Sequence, residues 1–282
     1  MEIMVNVGKY NTLKVVKTVD FGLYLDGGEG KEILLPTRYV PKEAKVGDEI
    51  EVFIYHDNEG RLIATTARPY ATVGEFQFME VKEVNKAGAF LNWGIMKDLL
   101  VPFKEQKKAM RAGKWYLVYV RLDHVTGRIM ASARIEKFLN NVLPQYERGE
   151  EVNLLVADET ELGYKVIINN LHTGLVYYDE TFQRLEKGEH IKGYIKEVRE
   201  DEKIDVSLMP LGYQKIEGIA GTILTALKAQ GGYIAVHDKS EPDVIYALFR
   251  CSKKAFKQAI GALYKQHLIT IEEKGIRLTV SD

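Results

Sequence analysis

Residues 127–134, GRIMASAR, nearly repeat residues 60–65, GRLIAT, and a more divergent version, EKIDVS, occurs at 202–207. The first two copies contain a short apolar run that ends in Ala-Thr or Ala-Ser, and the third has Ile204 and Val206 before its serine, which is typical of a short strand. A phrase that returns three times at a long and nearly fixed spacing indicates a repeated structural unit. The chain is therefore expected to contain the same fold more than once.

The phrases around these three stretches repeat in the same order. FGLYL, AGAFL and LGYKV come first, then ILLP, LLVP and GLVY, and then VGDEIEVFI, AGKWYLVYV and KGEHIKGYI. Each unit predicts five short strands in about 65 residues, which is the size of an OB barrel. We expect a mainly β protein with three tandem five-stranded OB-fold barrels at 1–68, 72–134 and 145–210. The glycine that opens the second strand of each unit predicts a β-bulge or a tight bend.

The hydrophobic period changes from two to 3.6 near the C-terminus. GIAGTILTALKAQGG predicts one helix, a second is expected to start at Ser240 with Asp243 completing a capping box, and Ser252 is expected to cap a third. HLITIEE and GIRLTV then predict a hairpin. Three helices and a hairpin indicate a winged helix-turn-helix domain over 215–282.

Charge is distributed unevenly along the chain. The net charge is −1 overall, but residues 72–134 sum to +5, residues 135–212 to −7 and residues 213–282 to +3. A phosphate backbone responds to local charge, so the two positive segments are candidate contact surfaces. The N-terminal stretch shows no secretory signal, and Cys251 is the single cysteine, so a cytoplasmic location is expected.

The stretch VVKTVDFGLYLD resembles the second-strand signature of ribosomal S1-type RNA-binding domains, and LHTGLVYYDE resembles their third-strand segment. The resemblance implies single-stranded RNA stacked on aromatic side chains beside a basic groove. Leu162 and Lys165 replace the aromatic pair in the third unit, and on strand three Pro36, Pro102 and Tyr177 stand where the family favours His. The candidate contact residues in the barrels are Phe21, Tyr24, Arg38, Phe90, Lys104, Lys107, Arg121, Arg128 and Tyr177. For each residue alone, a place in the barrel core or on an ordinary solvated face is the alternative.

The third predicted helix carries a basic flank beside its apolar stripe. Lys253, Lys254 and Lys257 lie on that flank, and Arg277 lies on the second hairpin strand. A recognition helix in a nucleic-acid groove needs such a flank. A solvated amphipathic helix, or a domain that contacts protein, remains the alternative.

The order of the parts resembles the conserved virulence factor B family of bacterial cytoplasmic RNA-binding proteins. The stretch SKKAFKQAIGALYKQHLI carries the resemblance at the C-terminal end. This resemblance implies RNA binding, post-transcriptional regulation of gene expression and no catalytic activity.

The sequence contains no signature of catalysis. The six histidines form no i,i+4 pair, and there is neither a phosphate-binding loop nor a dinucleotide fingerprint. We expect no catalytic residue, no metal and no cofactor. The leading hypothesis is a non-catalytic protein that binds single-stranded RNA. The alternatives are a transcriptional regulator that binds double-stranded DNA through the winged helix, and a protein adaptor.

Overall fold

The computed structural model describes residues 5–178, 181, 184–209, 215–265 and 267–279. Within these residues the chain forms three five-stranded sheets, followed by three helices and a small sheet. The predicted architecture of three tandem OB-type barrels and a winged-helix end is confirmed. None of the helices in the described ranges combines the length and the apolar character needed to cross a membrane.

Barrel 1 is a closed sheet in which the strands follow the order β1-β2-β3-β5-β4. Its strands are β1 (Tyr10–Val19), β2 (Gly22–Asp26), β3 (Glu32–Pro36), β4 (Glu49–His56) and β5 (Leu62–Thr65). The β3–β5 pair is parallel and the other pairs are antiparallel. Alternating residues such as Leu23 and Leu25 on β2, and Ile33 and Leu35 on β3, fill the interior. Residues between them face outward, as the period of two requires.

Barrels 2 and 3 repeat this strand order. Barrel 2 comprises β6 (Phe76–Asn85), β7 (Gly88–Leu91), β8 (Leu99–Pro102), β9 (Trp115–Leu122) and β10 (Ile129–Ser132). Barrel 3 comprises β11 (Glu151–Glu159), β12 (Gly163–Ile168), β13 (His172–Tyr177), β14 (His190–Val198) and β15 (Ile204–Ser207). Barrel 3 is closed, whereas in barrel 2 β8 and β10 lie close together but form no ladder.

The glycine that opens the second strand of each barrel has a different role from the one predicted. The β-bulges lie on the first strand, for example between Val15 and Lys17 in barrel 1. A Cβ on Gly22 would lie 2.1 Å from the Leu35 carbonyl oxygen, at a φ of +153° that L side chains rarely adopt. Gly88 and Gly163 meet the same obstacle. The glycine therefore allows strands two and three to approach closely.

Barrel 1 has its own hydrophobic core, and some of its buried side chains join the core of barrel 2. Phe53 and Tyr55 of barrel 1 join the buried cluster that holds Trp93 and the interior of barrel 2. Phe53 meets the Trp93 ring edge-on at 5.4 Å between centroids, and the Trp93 indole N–H donates a 2.8 Å hydrogen bond to the Ala71 carbonyl. The two barrels therefore pack as a pair, within a unit that spans residues 1–141.

The C-terminal segment folds as predicted, with an additional short strand. It contains α1 (Lys215–Ala229), β16 (Tyr233–Ile234), α2 (Pro242–Phe249), α3 (Lys253–Lys265), β17 (Ile269–Glu272) and β18 (Gly275–Leu278). β16 pairs with β18, so the hairpin becomes a three-stranded sheet. The predicted stripe of Phe256, Ile260 and Leu263 is buried.

Of the two predicted helix caps, one is present and one is wrong. The Ala255 N–H donates to Ser252 Oγ at 3.3 Å, which caps α3. Because Pro242 occupies the first helical position of α2, the N-cap is Glu241 rather than Ser240. Ser240 Oγ instead accepts a 2.9 Å hydrogen bond from the His237 N–H in the preceding turn.

Candidate nucleic-acid interface

Each barrel carries a row of three side chains that are paired across its first, second and third strands. The rows are Lys17–Tyr24–Leu34 in barrel 1, Glu83–Phe90–Leu100 in barrel 2 and Asp158–Lys165–Leu175 in barrel 3. We call them the barrel 1, barrel 2 and barrel 3 rows. A bulge precedes the first member of every row, so the three rows can be compared position by position.

The barrel 1 row combines a half-buried ring, Tyr24, with a cation, Lys17, and the exposed ring of Phe21 lies beside it. Phe21 is 58% exposed and meets the Tyr24 ring edge-on, with the centroids 6.3 Å apart. Lys17 Nζ lies 4.5 Å from the centre of the Tyr24 ring. Glu32 partly neutralises this ammonium group through a 2.6 Å ion pair. The wall therefore combines surfaces for base stacking with a positive charge.

Lys17 is a candidate that the sequence did not single out. The bulge between Val15 and Lys17 shifts the strand by one residue and brings Lys17 opposite Tyr24. Strict alternation along the strand does not predict that pairing. Arg38, which was predicted, lies exposed just beyond β3 with its guanidinium 5.1 Å from the centre of the Tyr39 ring.

The barrel 2 row is more enclosed. Phe90 is half-buried, and its partner across the ladder is the carboxylate Glu83 rather than a lysine. Together with Leu100 and Pro102 it lines a pocket of about 350 Å³. This ring therefore lies in the wall of a pocket, whereas Phe21 projects from the surface.

The predicted cations of barrel 2 separate into engaged and available groups. Arg121 is largely buried, lies 3.9 Å from Glu105 and stacks over Phe138, so it serves the interior rather than an open groove. Lys107 forms an ion pair with Glu136. Lys104 and Arg128 are exposed, and neither forms an ion pair with another described residue.

The barrel 3 row has the opposite chemistry. Leu162 stands in the place of Phe21, and Lys165 faces Asp158 in the place where Tyr24 faces Lys17. The Tyr177 hydroxyl accepts a hydrogen bond from Arg199, which also forms a 2.7 Å ion pair with the buried Asp205. Tyr177 is therefore part of a polar network that belongs to the barrel itself.

Two carboxylates of the barrel 3 wall are ion-paired. Lys187 Nζ lies 2.5 Å from Asp158 Oδ1, and its hydrogen bond lowers the pKa of that carboxyl. Arg184 lies 4.0 Å from Glu159. An acidic wall repels phosphate, and the exposed ring of Tyr178 is tied to that wall by hydrogen bonds from its hydroxyl to Glu159 and to the Thr160 carbonyl.

The basic flank of the winged helix exists, but it is largely engaged. Lys253 Nζ donates to the Lys239 carbonyl at 3.2 Å, and Lys257 lies 3.9 Å from Asp238. Arg277 pairs with Glu272 at 2.6 Å, and this hydrogen bond raises the pKa of the guanidinium. Lys254 is exposed and has no ion pair among the described residues.

In the described part of the chain, no cluster of three or more His, Cys, Asp or Glu side chains has the arrangement of a metal site. Cys251 is buried, and burial raises the pKa of its thiol. A thiol whose pKa is raised is less reactive at neutral pH, so packing is the role that its position supports.

Comparison with known proteins identifies two domain types. Residues 7–67 match the S1 domain family, and residues 221–278 match the CvfB-like winged helix domain family. The chain is 28% identical to conserved virulence factor B of Staphylococcus epidermidis and 27% identical to that of Staphylococcus aureus. These alignments cover 97% of this chain and 95% and 94% of the two relatives. The resemblance predicted from the sequence is confirmed over nearly the whole chain.

A solved structure from Streptococcus pneumoniae, described as a multidomain protein with nucleic acid binding domains, is also similar. It is 25% identical, the alignment covers 97% of this chain and 98% of that one, and the TM-score is 0.42.

Proposed function

Because the chain combines an S1 domain with a CvfB-like winged helix, we propose that it is a non-catalytic RNA-binding protein that regulates gene expression after transcription. In this proposal, barrels 1 and 2 hold single-stranded RNA, and the winged helix adds contacts to nucleic acid or protein. Barrel 3 acts as a structural member of the array. In this proposal the protein regulates by binding RNA, without a catalytic step.

The observation that carries the proposal is the open aromatic wall of barrel 1. Phe21, in the turn before β2, and Tyr24, on β2, offer adjacent rings, with Lys17 beside them. Stacking on an aromatic side chain contributes about 1–3 kcal/mol per base and accepts any base. A cation next to the ring reaches the phosphate that joins two stacked bases.

This arrangement favours single strands over duplexes. Bases in a duplex already stack on one another, and the deep, narrow major groove of A-form RNA excludes side chains. Two neighbouring rings at the start of β2, which meet edge-on, suit bases that are splayed out of a single strand. Readout of duplex DNA would depend on the α3 flank, where Lys254 is the lysine with neither an ion pair nor a side-chain hydrogen bond among the described residues.

A direct test measures the fluorescence anisotropy of a labelled RNA of mixed sequence across a salt series. We expect saturable binding that weakens as salt rises, because neutralised phosphates release counterions. Phe21→Ala should weaken binding roughly 5- to 150-fold, the equivalent of one lost stacking contact. Leu162→Ala is the matched control, since it changes an exposed residue at the same position of barrel 3. Absence of binding at low salt contradicts the proposal.

Competition separates this proposal from the two alternatives. If duplex DNA displaces the RNA, and Lys254→Glu abolishes binding while Phe21→Ala does not, the DNA-binding alternative is favoured. If a partner protein co-purifies after nuclease treatment and RNA does not bind, the adaptor alternative is favoured.

A further inference from the structure

The pocket beside the barrel 2 row lies at the junction of barrels 1 and 2. Phe90, Leu100 and Pro102 contribute one apolar side, and Tyr55 and His56 from the end of β4 contribute another. Its volume of about 350 Å³ lies in the range of small-molecule sites, which is about 300–1,000 Å³. In barrel 1 the corresponding wall is open, so the docking of the two barrels creates this pocket.

Two cations stand at the pocket without a carboxylate partner. Lys97 Nζ is held by two neutral acceptors, the His56 and Asp57 carbonyl oxygens, at 2.7 and 2.8 Å. The Arg128 guanidinium lies against the Gly60 turn of barrel 1, where a Cβ on Gly60 would come within 2.7 Å of it. The Lys97 ammonium is therefore fixed at the barrel junction before any ligand arrives, and the exposed Arg128 guanidinium adds a second positive charge there.

Two carboxylates also line the pocket, and one of them is neutralised. Asp98 forms a 2.9 Å ion pair with Lys82, whereas Asp123 accepts a 2.9 Å hydrogen bond from the Thr126 hydroxyl and keeps its charge. Burial lowers the pKa of the His56 imidazole, the charges of Lys97 and Arg128 lower it further, and Asp57 raises it. An anionic group is the ligand feature that offsets these two cations.

The pocket wall also holds an unpartnered polar atom. His56 Nδ1 is buried and has no hydrogen-bond partner among the described residues. This atom is closed off from the pocket space, so it does not face a ligand there. The pocket thus offers an apolar side with an aromatic ring and two cations.

We propose that this junction pocket binds a single nucleotide unit, with the base on the Phe90 side and the phosphate at Lys97 and Arg128. The inference rests on the proposed function, because it makes the pocket the place where one residue of a bound RNA strand leaves the barrel wall. The same chemistry also fits a free nucleoside monophosphate, so the test must distinguish the two sources. In either case the site exists only while the barrels are docked.

The two tryptophans of the chain provide a local readout. Trp93 lines the pocket and is buried, whereas Trp115 is 61% exposed and does not line it. Full-length protein labelled with 5-fluorotryptophan should give two fluorine resonances, which Trp115→Phe assigns. We expect RNA of mixed sequence to shift the Trp93 resonance in a saturable way and to leave the Trp115 resonance in place.

Variants of the pocket sharpen the assignment. Arg128→Gln should raise about tenfold the RNA concentration that gives half of the Trp93 shift, as expected for loss of one charged contact. Phe90→Leu, which keeps an apolar side chain but removes the ring, should raise that concentration as well. Lys114→Gln is the charge-matched control on an exposed lysine of barrel 2 outside the pocket, and it should behave as the parent protein. An unliganded fluorine spectrum that matches the parent shows that a variant is folded.

The outcomes separate the pocket from the wider proposal. RNA that binds by anisotropy but leaves Trp93 unshifted overturns the pocket and leaves RNA binding intact. If RNA does not bind at all, the proposed function fails. In that case nucleoside monophosphates are added alone. A saturable Trp93 shift supports the pocket as a site for free nucleotides, and the absence of a shift overturns the pocket as well.

Discussion

Barrels 1 and 3 have the same strand order, the same bulge on the first strand and the same glycine on the second, but their outer walls differ in chemistry. At matching positions, barrel 1 has Lys17 opposite Tyr24 and barrel 3 has Asp158 opposite Lys165. Phe21 projects beside the first pair, and Leu162 beside the second. The backbone of the OB barrel is therefore compatible with a binding wall and with an ion-paired wall, and a few side chains decide between them.

The difference extends to the strand that closes each row. In barrel 1, Leu34 pairs with an apolar residue, Ile63, across the β3–β5 ladder. In barrel 3, Leu175 pairs with Asp205, which forms a hydrogen-bonded network with Arg199 and Tyr177. Barrel 3 thus uses its polar side chains to stabilise its own wall, and barrel 1 leaves its rings available.

The largest expected effect comes from removing both rings of barrel 1. Phe21→Ala with Tyr24→Ala should weaken RNA binding by more than either single change, on the order of 10- to 1,000-fold, since each stacking contact is worth about 1–3 kcal/mol. The two losses should not add fully, because the rings touch each other. Anisotropy titration measures the effect, and Leu162→Ala with Lys165→Ala is the control. Equal losses in both double variants would remove the distinction between the barrels.

A second test grafts the binding chemistry onto barrel 3. Leu162→Phe with Lys165→Tyr, introduced into the protein that lacks both barrel 1 rings, should recover roughly 2- to 10-fold in affinity, less than a full stacking site provides. Recovery is limited because Asp158 still faces position 165 and repels phosphate. Titration of the same labelled RNA measures it. Complete recovery would show that the acidic surroundings of barrel 3 do not matter.

The charge of Lys17 is tested by salt dependence rather than by affinity alone. Lys17→Met should reduce the slope of log affinity against log salt by about 0.7, which corresponds to one neutralised phosphate on a single strand. Lys165→Met in barrel 3 should leave the slope unchanged. An unaltered slope in the Lys17 variant would show that Lys17 contacts the Tyr24 ring and Glu32 but no RNA phosphate.

Releasing Lys17 from its ion pair should have a smaller effect with the opposite sign. Glu32→Gln removes the carboxylate 2.6 Å from Lys17 Nζ, so RNA should bind more tightly, by about 2- to 5-fold, which corresponds to the upper part of the range for an exposed pair. Equilibrium titration at low salt is the sensitive measurement. Weaker binding would indicate that Glu32 positions Lys17 rather than competes for it.

The smallest effect on RNA affinity is expected in the barrel 3 network. Arg199→Gln leaves the buried Asp205 carboxylate without its ion pair, so the thermal midpoint should fall by a few degrees while RNA affinity stays within error. Differential scanning calorimetry and anisotropy measure the two quantities. Lost affinity with unchanged stability would place RNA on barrel 3.

The sequence predicts the repeated architecture well because repetition and alternation are local signals. The three copies of strand five, the buried stripe of α3 and the Ser252 cap follow from side-chain spacing alone. The position of Lys17 opposite Tyr24 does not, since a bulge breaks the alternation that such a prediction needs. The cap at Glu241 was also missed, because Pro242 moves the start of α2 by one residue.

Contacts between barrels are the other part that spacing does not predict. Phe53 and Trp93 belong to different repeats, and the sequence pattern of neither repeat predicts their contact. Arg121 and Arg128 look alike in sequence, as two arginines on or beside the strands of barrel 2. Burial against Glu105 engages the first, and packing on Gly60 holds the second at the pocket. Tertiary packing decides which of two similar charges is available.

Photocrosslinking of RNA that contains 4-thiouridine, followed by mass spectrometry of tryptic peptides, tests the central claim most directly. Residues 18–31 form one tryptic peptide that contains both Phe21 and Tyr24, and residues 149–165 form the corresponding peptide of barrel 3. We expect crosslinks to concentrate in the first peptide and to be absent from the second. Crosslinks that concentrate in residues 149–165 or in α3, with none in residues 18–31, would contradict it.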